Sequence, residues 1–184
     1  MTAVGLQTYS LPLSHGQGWT MPIDKPAESA RHLRWIKPSI FGNRYELRST
    51  DRCLATLTIS GFFHPSGTSE ATEGCWAVEP LERGSGKIVI RANDSFREVG
   101  VFDMSMSRGG GILRTTDGQA LILQSDFWKG VAEFQTPSGE PLVRFRYRGL
   151  LRPSADVEIL GKGECLRQFP WILMLGWCLI VGYL

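Results

Sequence analysis

The chain has 184 residues, of which 42% are hydrophobic and 10% aromatic, so it is long enough to bury one sizeable core and we expect a single domain. Its net charge of +2 and its isoelectric point near 8.4 are too mild to indicate a nucleic-acid-binding protein from charge alone. Nucleic acid is therefore not expected as a partner.

Residues 1–30 mix Ser, Gly, Pro and Gln with scattered apolar residues and show no hydrophobic period. This composition predicts a flexible N-terminal leader, and residues 31–184 then form the folded domain. The same stretch lacks the basic start and the continuous apolar run of a signal peptide, which argues against secretion by that route.

From Arg34 onward, short runs of alternating apolar and polar residues are separated by turn-forming residues. RYELRS (44–49) and CLATLTIS (53–60) predict a first hairpin, because apolar residues recur in them with the period of two that a strand shows. Asp117-Gly118 between GILRTT and QALILQ predicts the clearest hairpin, since Asp-Gly readily adopts the positive φ of a tight turn. Further strands are predicted at GCWAVEP (74–80), KIVIRA (87–92), EVGVFDM (98–104), GVAEFQ (130–135), LVRFRYR (142–148) and ADVEIL (155–160). Roughly nine to eleven strands in consecutive hairpins are typical of an all-β sandwich or barrel.

The chain ends in FPWILMLGWCLIVGYL, Phe169–Leu184, which carries no charged residue. Pro170 suits the first turn of a helix, where its missing N–H is not needed, and the residues after it favour a helix. At about 1.5 Å per residue, the run from Trp171 to the end spans about 21 Å, whereas the hydrocarbon core of a bilayer is about 30 Å thick. A membrane anchor would have to begin near Leu166, so we favour a helix buried in protein and keep a tail anchor as the alternative.

A helix that is apolar on every side needs an apolar surround on every side, either lipid or protein. The link Gly161–Cys165 is too short to hold a folded domain clear of a membrane, but it is long enough to turn the chain from a barrel wall into the barrel interior. The expected fold is therefore mainly β. It is an antiparallel β-barrel of hairpins enclosing a hydrophobic C-terminal helix, residues 165–184.

This order of elements, with hairpins such as ILRTTDGQALIL (112–123) and the tail FPWILMLGWCLIVGYL, resembles the tubby-like superfamily. The superfamily includes the tubby C-terminal domains, the phospholipid scramblases and the LURP-one-related proteins. The resemblance covers about Arg34 to Leu184 and concerns architecture rather than a specific motif. It implies a barrel around a central C-terminal helix and, from the tubby proteins, phosphoinositide binding on the barrel exterior. No acidic calcium-binding segment of the scramblase type lies beside the tail, so calcium-triggered lipid movement is not expected.

LVRFRYR (142–148) is the most informative segment for function. As a strand, it places Val143, Phe145 and Tyr147 on the inner face of a barrel and its arginines on the outer face. The candidate ligand-binding residues are Arg144, Arg146, Arg148 and, just beyond the strand, Arg152. Guanidinium groups bind phosphate through paired N–H donors, so an anionic lipid headgroup or another phosphorylated ligand at a membrane surface is the expected partner.

The alternative for these arginines is an ordinary solvated face. Glu133 or Asp156 on neighbouring strands would then balance their charge. Charged residues are common on exposed strand faces, and we favour this interpretation for that reason.

The sequence carries no convincing catalytic or metal-binding signature. His15, His32 and His64 lie far apart in predicted loops, so no metal site, cofactor or catalytic residue is assigned. The expectation is a protein that is not an enzyme.

Several cysteines and tryptophans are expected to be buried. Cys53, Cys75, Cys165 and Cys178 stand far apart, which predicts reduced thiols in a cytoplasmic protein rather than disulfides. Trp35, Trp76 and Trp128 are expected to fill the core against the barrel wall.

These observations favour a non-catalytic binding or scaffolding protein that binds anionic lipid through a basic barrel face, in the cytoplasm and at a membrane. Two alternatives stay open. One is a tail-anchored membrane protein with a cytoplasmic β-domain. The other is a small-ligand carrier with an unfilled barrel, which requires the tail to lie elsewhere.

Overall fold

The computed structural model describes residues 33–50, 52–61, 65–82, 84–105, 109–149, 152–160 and 171–182. The predicted leader, residues 1–30, and all three histidines lie outside these ranges.

The described chain forms twelve strands and one helix. The strands are β1 Leu33–Ile36, β2 Arg44–Ser49, β3 Arg52–Ser60, β4 Ser66–Ala71, β5 Gly74–Pro80, β6 Lys87–Ala92, β7 Glu98–Ser105, β8 Gly110–Thr115, β9 Ala120–Asp126, β10 Val131–Gln135, β11 Pro141–Arg148 and β12 Ser154–Ile159. The helix, α1, spans Trp171–Gly182.

The strands form one closed antiparallel barrel in which each strand pairs with its neighbours in the chain. The barrel closes between β1 and β12, where Leu33 lies opposite Val157 and Trp35 lies opposite Ala155. Closure pairs every strand on both sides, so the sheet has no unpaired edge. The predicted mainly β, antiparallel barrel is confirmed.

The predicted count of roughly nine to eleven strands was wrong, because β1 and β4 were missed. β4, SGTSEA, has no alternation of large apolar residues. Its inward positions are small because the helix passes close by: a Cβ added at Gly67 would lie 2.9 Å from Cys178 Sγ. The inward Ser69 hydroxyl donates to the Trp76 carbonyl across the ladder at 3.2 Å.

Helix α1 lies inside the barrel. Its buried residues are Trp171, Ile172, Met174, Leu175, Gly176, Trp177, Cys178, Leu179 and Ile180. They pack against residues on strands around the whole barrel: Trp35 of β1, Tyr45 of β2, Gly67 of β4, Gly100 of β7, Phe134 of β10 and Phe145 of β11. The predicted enclosed helix is confirmed over Trp171–Gly182, whereas residues 165–170 and 183–184 of the prediction lie outside the described chain.

The helix runs through the barrel from one end to the other. Trp171 packs beside Gly100, near the start of β7, and Gly182 packs beside Pro65, just before β4. We name the two ends by this direction. The proximal rim, where α1 begins, consists of the turns after β2, β4, β6, β8 and β10. The distal rim, where α1 ends, consists of the loops after β1, β3, β5, β7, β9 and β11.

Aromatic packing holds the helix in place. The Trp177 ring stacks on Trp35 with centroids 6.0 Å apart and meets the edge of Tyr45 at 5.7 Å. Gly176 lies against the Phe145 ring, which an added Cβ would approach to 2.5 Å. Neither Trp177 Nε1 nor Trp35 Nε1 has a hydrogen-bond partner among the described residues. Shape and apolar burial therefore hold these side chains in the core.

Candidate anion-binding surface

The three arginines of β11 lie on the outer face of the barrel, as their spacing predicts. Between them, Phe145 is fully buried against α1, and Val143 is buried beside it. Tyr147 also faces inward but is half-buried, because it lies near the rim. The period of two thus separates a packing face from a charged face along one strand.

Arg144 is held by two carboxylates on the strands that flank β11. Its Nε lies 2.7 Å from Glu133 Oε2 on β10, and its Nη1 lies 3.4 Å from Glu158 Oε2 on β12. The hydrogen bond that Arg144 donates to Glu133 is the main reason that the pKa of Arg144 is raised. This guanidinium is already paired on both sides.

Arg146 and Arg148 are more exposed, with 55% and 64% of their side-chain surface accessible. Arg146 Nη2 lies 3.3 Å from Glu158, and Arg148 Nη2 lies 3.3 Å from Asp156. Asp156 is shared with Arg34 of β1 at 3.4 Å. The face is therefore a network of arginines and carboxylates, as the alternative interpretation of the sequence expected.

Glu158 and Arg34 are members of this network that were not predicted from the sequence. The alternation in ADVEIL places Asp156 and Glu158 on the same face, so the signal was present. Predicting the partner of each arginine also requires the register between β11 and β12, in which Arg144 lies opposite Glu158 and Arg146 lies opposite Asp156.

Arg152 does not join the stripe but lies in the loop between β11 and β12 at the distal rim. Its Nε donates to the Lys37 carbonyl at 3.2 Å, and its Nη2 donates to the Pro38 carbonyl at 3.1 Å. Arg152 thus ties its own loop to the loop between β1 and β2. Among the described residues, no carboxylate lies at salt-bridge distance from Arg152.

An open depression of about 450 Å³ lies on the outer wall where β1 meets β2 and β12. Arg34, Arg48, Asp156 and Glu158 line it with charged side chains. Two arginines face two carboxylates here, so the depression has no strong preference for anions.

Trp128 was expected in the core, and this prediction was wrong. Its side chain is 95% exposed in the turn between β9 and β10, beside the half-exposed Phe127. Trp35 and Trp76 are buried as expected. Residue type suggested core for all three tryptophans, but the flanking Asp126 and Gly130 are the signal of a turn.

The described residues include no group of three or more His, Cys, Asp or Glu that could hold a metal ion. Three of the four cysteines are described and all are free: Cys53 is exposed, Cys75 is half-buried and Cys178 is buried. Burial raises the pKa of the Cys178 thiol to about 12. A thiol that stays protonated to such a pH is a poor nucleophile.

Comparison with known proteins finds no matching family model, no matching curated protein and no matching solved structure. Within the part of the chain that the structure describes, α1 and the remaining segments offer no helix of the length and apolarity that crossing a bilayer requires.

Proposed function

We propose that this chain is a non-catalytic binding or scaffolding protein with a tubby-like barrel, which recognises anionic lipid headgroups at the cytoplasmic surface of a membrane. The observation that carries the proposal is the position of α1, which occupies the barrel interior with nine buried residues. A barrel filled by its own helix has to meet a partner on the outer wall or at a rim.

The outer face of β11 supports an anionic partner. Arg146 and Arg148 each use one Nη2 group in an ion pair at 3.3 Å. A guanidinium has five N–H donors, so each keeps donors for a phosphate oxygen. Exposed ion pairs contribute little to stability, and a phosphate can exchange with the carboxylate at small cost.

The two alternatives are less well supported by the fold. A small-ligand carrier needs the space that Leu175, Trp177 and Leu179 fill. A tail anchor needs α1 to lie in lipid, whereas nine of its twelve residues are buried inside the barrel.

The test is sedimentation of the full chain with vesicles of phosphatidylcholine alone and of phosphatidylcholine mixed with phosphatidylserine. We expect binding to the mixed vesicles, and about tenfold weaker binding by the double variant R146Q/R148Q. The matched control is R91Q/R114Q, which removes two outward-facing arginines from β6 and β8, five and three strands away from β11 and near the proximal rim. Equal binding to both vesicle types, or equal loss in both variants, would overturn the proposal.

A further inference from the structure

Two loops of the distal rim carry large apolar side chains that point away from the core. The loop between β1 and β2 holds Ile40 and Phe41, which are 58% and 95% exposed. The turn between β9 and β10 holds Phe127 and Trp128, which are 56% and 95% exposed. Aromatic residues exposed to this degree lose the stabilisation that burial gives, so their position calls for a partner.

Hydrogen bonds and an ion pair define the turn that carries Trp128. The Lys129 N–H donates to Asp126 Oδ1 at 3.1 Å, and the Lys129 ammonium lies 2.9 Å from Asp126 Oδ2. Gly130 adopts a φ of 62° and accepts a hydrogen bond from the Tyr147 N–H at 2.8 Å. These bonds fix the backbone below the aromatic pair, so Trp128 is held outward by a defined turn.

The two aromatic loops lie on the same rim, a third of the barrel circumference apart. The order of strands around the barrel is β9, β10, β11, β12, β1, β2, so the loop between β11 and β12 lies between them. The aromatic loops are four strand spacings apart, about 19 Å along the wall. One flat surface laid on the rim therefore meets both loops.

Positive charge lies beside the aromatic side chains. Lys37 and Arg44 border the loop that carries Phe41, and Arg152 is bonded to its backbone. Within the described ranges, none of these three cations has a carboxylate at salt-bridge distance. Lys37 contacts the Tyr45 ring, 5.8 Å from its centroid, which leaves its charge in place. The stripe of β11 differs, because its arginines are paired.

The proximal rim has the opposite charge. Its described turns carry Glu73, Asp94, Asp117 and Glu140, against Arg97. It also carries one strongly exposed aromatic residue, Phe96, at 78%. The net charge of +2 hides this asymmetry between the two ends of the barrel.

We propose that the distal rim is the surface that docks on an anionic bilayer, with Phe41 and Trp128 entering the interfacial layer and Lys37, Arg44 and Arg152 contacting lipid phosphates. Aromatic rings favour the membrane–water interface because one part of the ring meets hydrocarbon while another stays near water. Cations attract the negative headgroups, and the two effects together give stable attachment. The inference rests on the proposed function and gives it a site and an orientation, with the barrel axis directed at the membrane.

The experiment measures binding of the full chain to vesicles of phosphatidylcholine mixed with phosphatidylserine. We expect F41S/W128S to bind about tenfold more weakly than the unaltered chain. The matched control is F96S, which removes an exposed aromatic residue from the acidic rim and is expected to bind as the unaltered chain does. Thermal melting of all variants checks the fold, and we expect unchanged midpoints because these side chains lie outside the core.

A second measurement reports how deeply Trp128 enters the bilayer. With brominated lipids in the vesicles, we expect tryptophan fluorescence to be quenched in the unaltered chain and in F96S, and much less in W128S. A third tests charge: K37Q/R44Q should bind with a smaller salt dependence than the unaltered chain, because two of the cations proposed to contact lipid phosphates are absent. Unchanged quenching in W128S, or an unchanged salt dependence in K37Q/R44Q, would contradict the rim orientation.

The outcomes separate the two proposals. If F41S/W128S binds normally while R146Q/R148Q is weakened, the rim inference fails and the proposed function stands. If the unaltered chain does not bind anionic vesicles, both fail. If F41S/W128S instead abolishes self-association seen without vesicles, the rim is an interface between copies of this chain and the bilayer inference is overturned.

Discussion

From Val143 to Arg148 on β11, side chains two residues apart share an environment, and adjacent ones do not. Phe145 is fully buried against Gly176 of the helix, whereas Arg144 and Arg146 on either side of it lie in a hydrated network of ion pairs. The inner face is held by dense apolar packing, in which a volume change of even one methylene group affects stability. The outer face is held by pairs that contribute little individually. The stability of the barrel therefore depends on its interior, while its outer surface is free to serve recognition.

Removing the helix is the largest perturbation of the inner face. A chain ending at Gly163 lacks α1, whose buried side chains fill the barrel axis. We expect aggregation or melting without cooperativity, because the inner faces of all strands lose their packing partner. Soluble yield and a calorimetric melt of the truncated and full chains provide the check. A truncated chain that folds well would favour the tail-anchored alternative.

The same substitution inside and outside the barrel compares the two faces directly. Trp177→Ala deletes a ring that is fully buried between Trp35 and Tyr45, so we expect a loss of about 3–5 kcal/mol in the free energy of unfolding. Trp128→Ala deletes a ring that is 95% exposed, and we expect a change below about 0.5 kcal/mol. Denaturant unfolding of both variants measures the difference. Similar losses in both would contradict the placement of one of them.

Alkaline pH perturbs the inner face without a mutation. Burial raises the pKa of Cys178 to about 12, whereas a thiol in an unfolded chain ionises near pH 8.5. Above that lower pKa, the unfolded state releases a proton that the folded state keeps. Stability therefore falls as the pH rises, by at most about 1.4 kcal/mol per pH unit.

The control for this pH dependence is Cys178→Ala, which should leave stability nearly constant from about pH 8.5 to 10. The pKa of Tyr45 is also raised. Burial is the larger cause, and the charge of a Cys178 thiolate is the smaller one. The contribution of Tyr45 has the same sign but begins only near pH 10. Urea unfolding across this range gives the slope, and an unchanged slope in the Ala variant would contradict the assignment to Cys178.

The smallest effect is expected for an ion pair of the outer face. A double-mutant cycle on Arg144→Gln and Glu133→Gln should give a coupling energy of about 1 kcal/mol or less, because both side chains are partly exposed. Raising the salt concentration should reduce it. The comparison pair is Arg91 and Glu79 at 2.8 Å on the opposite wall, which is more exposed and should couple more weakly. A coupling energy of several kcal/mol at Arg144 would show that the outer face is structural.

The features of β11 that depend on one strand were predicted correctly from the sequence, whereas those that depend on the register between two strands were predicted only in part. The outward direction of Arg144, Arg146 and Arg148 follows from the period of a single strand, and the prediction was confirmed. The partner Glu158 depends on the register between two strands and was missed. Trp128 was misplaced because residue type was given more weight than the turn signal around it.

Strand β4 was missed for a different reason. Its inward Gly67 and Ser69 are small because the helix, more than a hundred residues later in the chain, passes close to them. A strand shaped by such a contact does not show the alternation of large apolar residues that a strand against an open core shows.

The hairpins, the alternation of inner and outer residues and the apolar helix can be predicted from the sequence, because each depends on neighbours within a few positions. Which cations of the described residues have a carboxylate partner depends on the tertiary structure. Closure of β1 on β12 brings Arg152 to Lys37, 115 positions earlier, and places the loops of Phe41 and Trp128 on one rim. Such contacts depend on the register of the whole barrel, which no local pattern specifies.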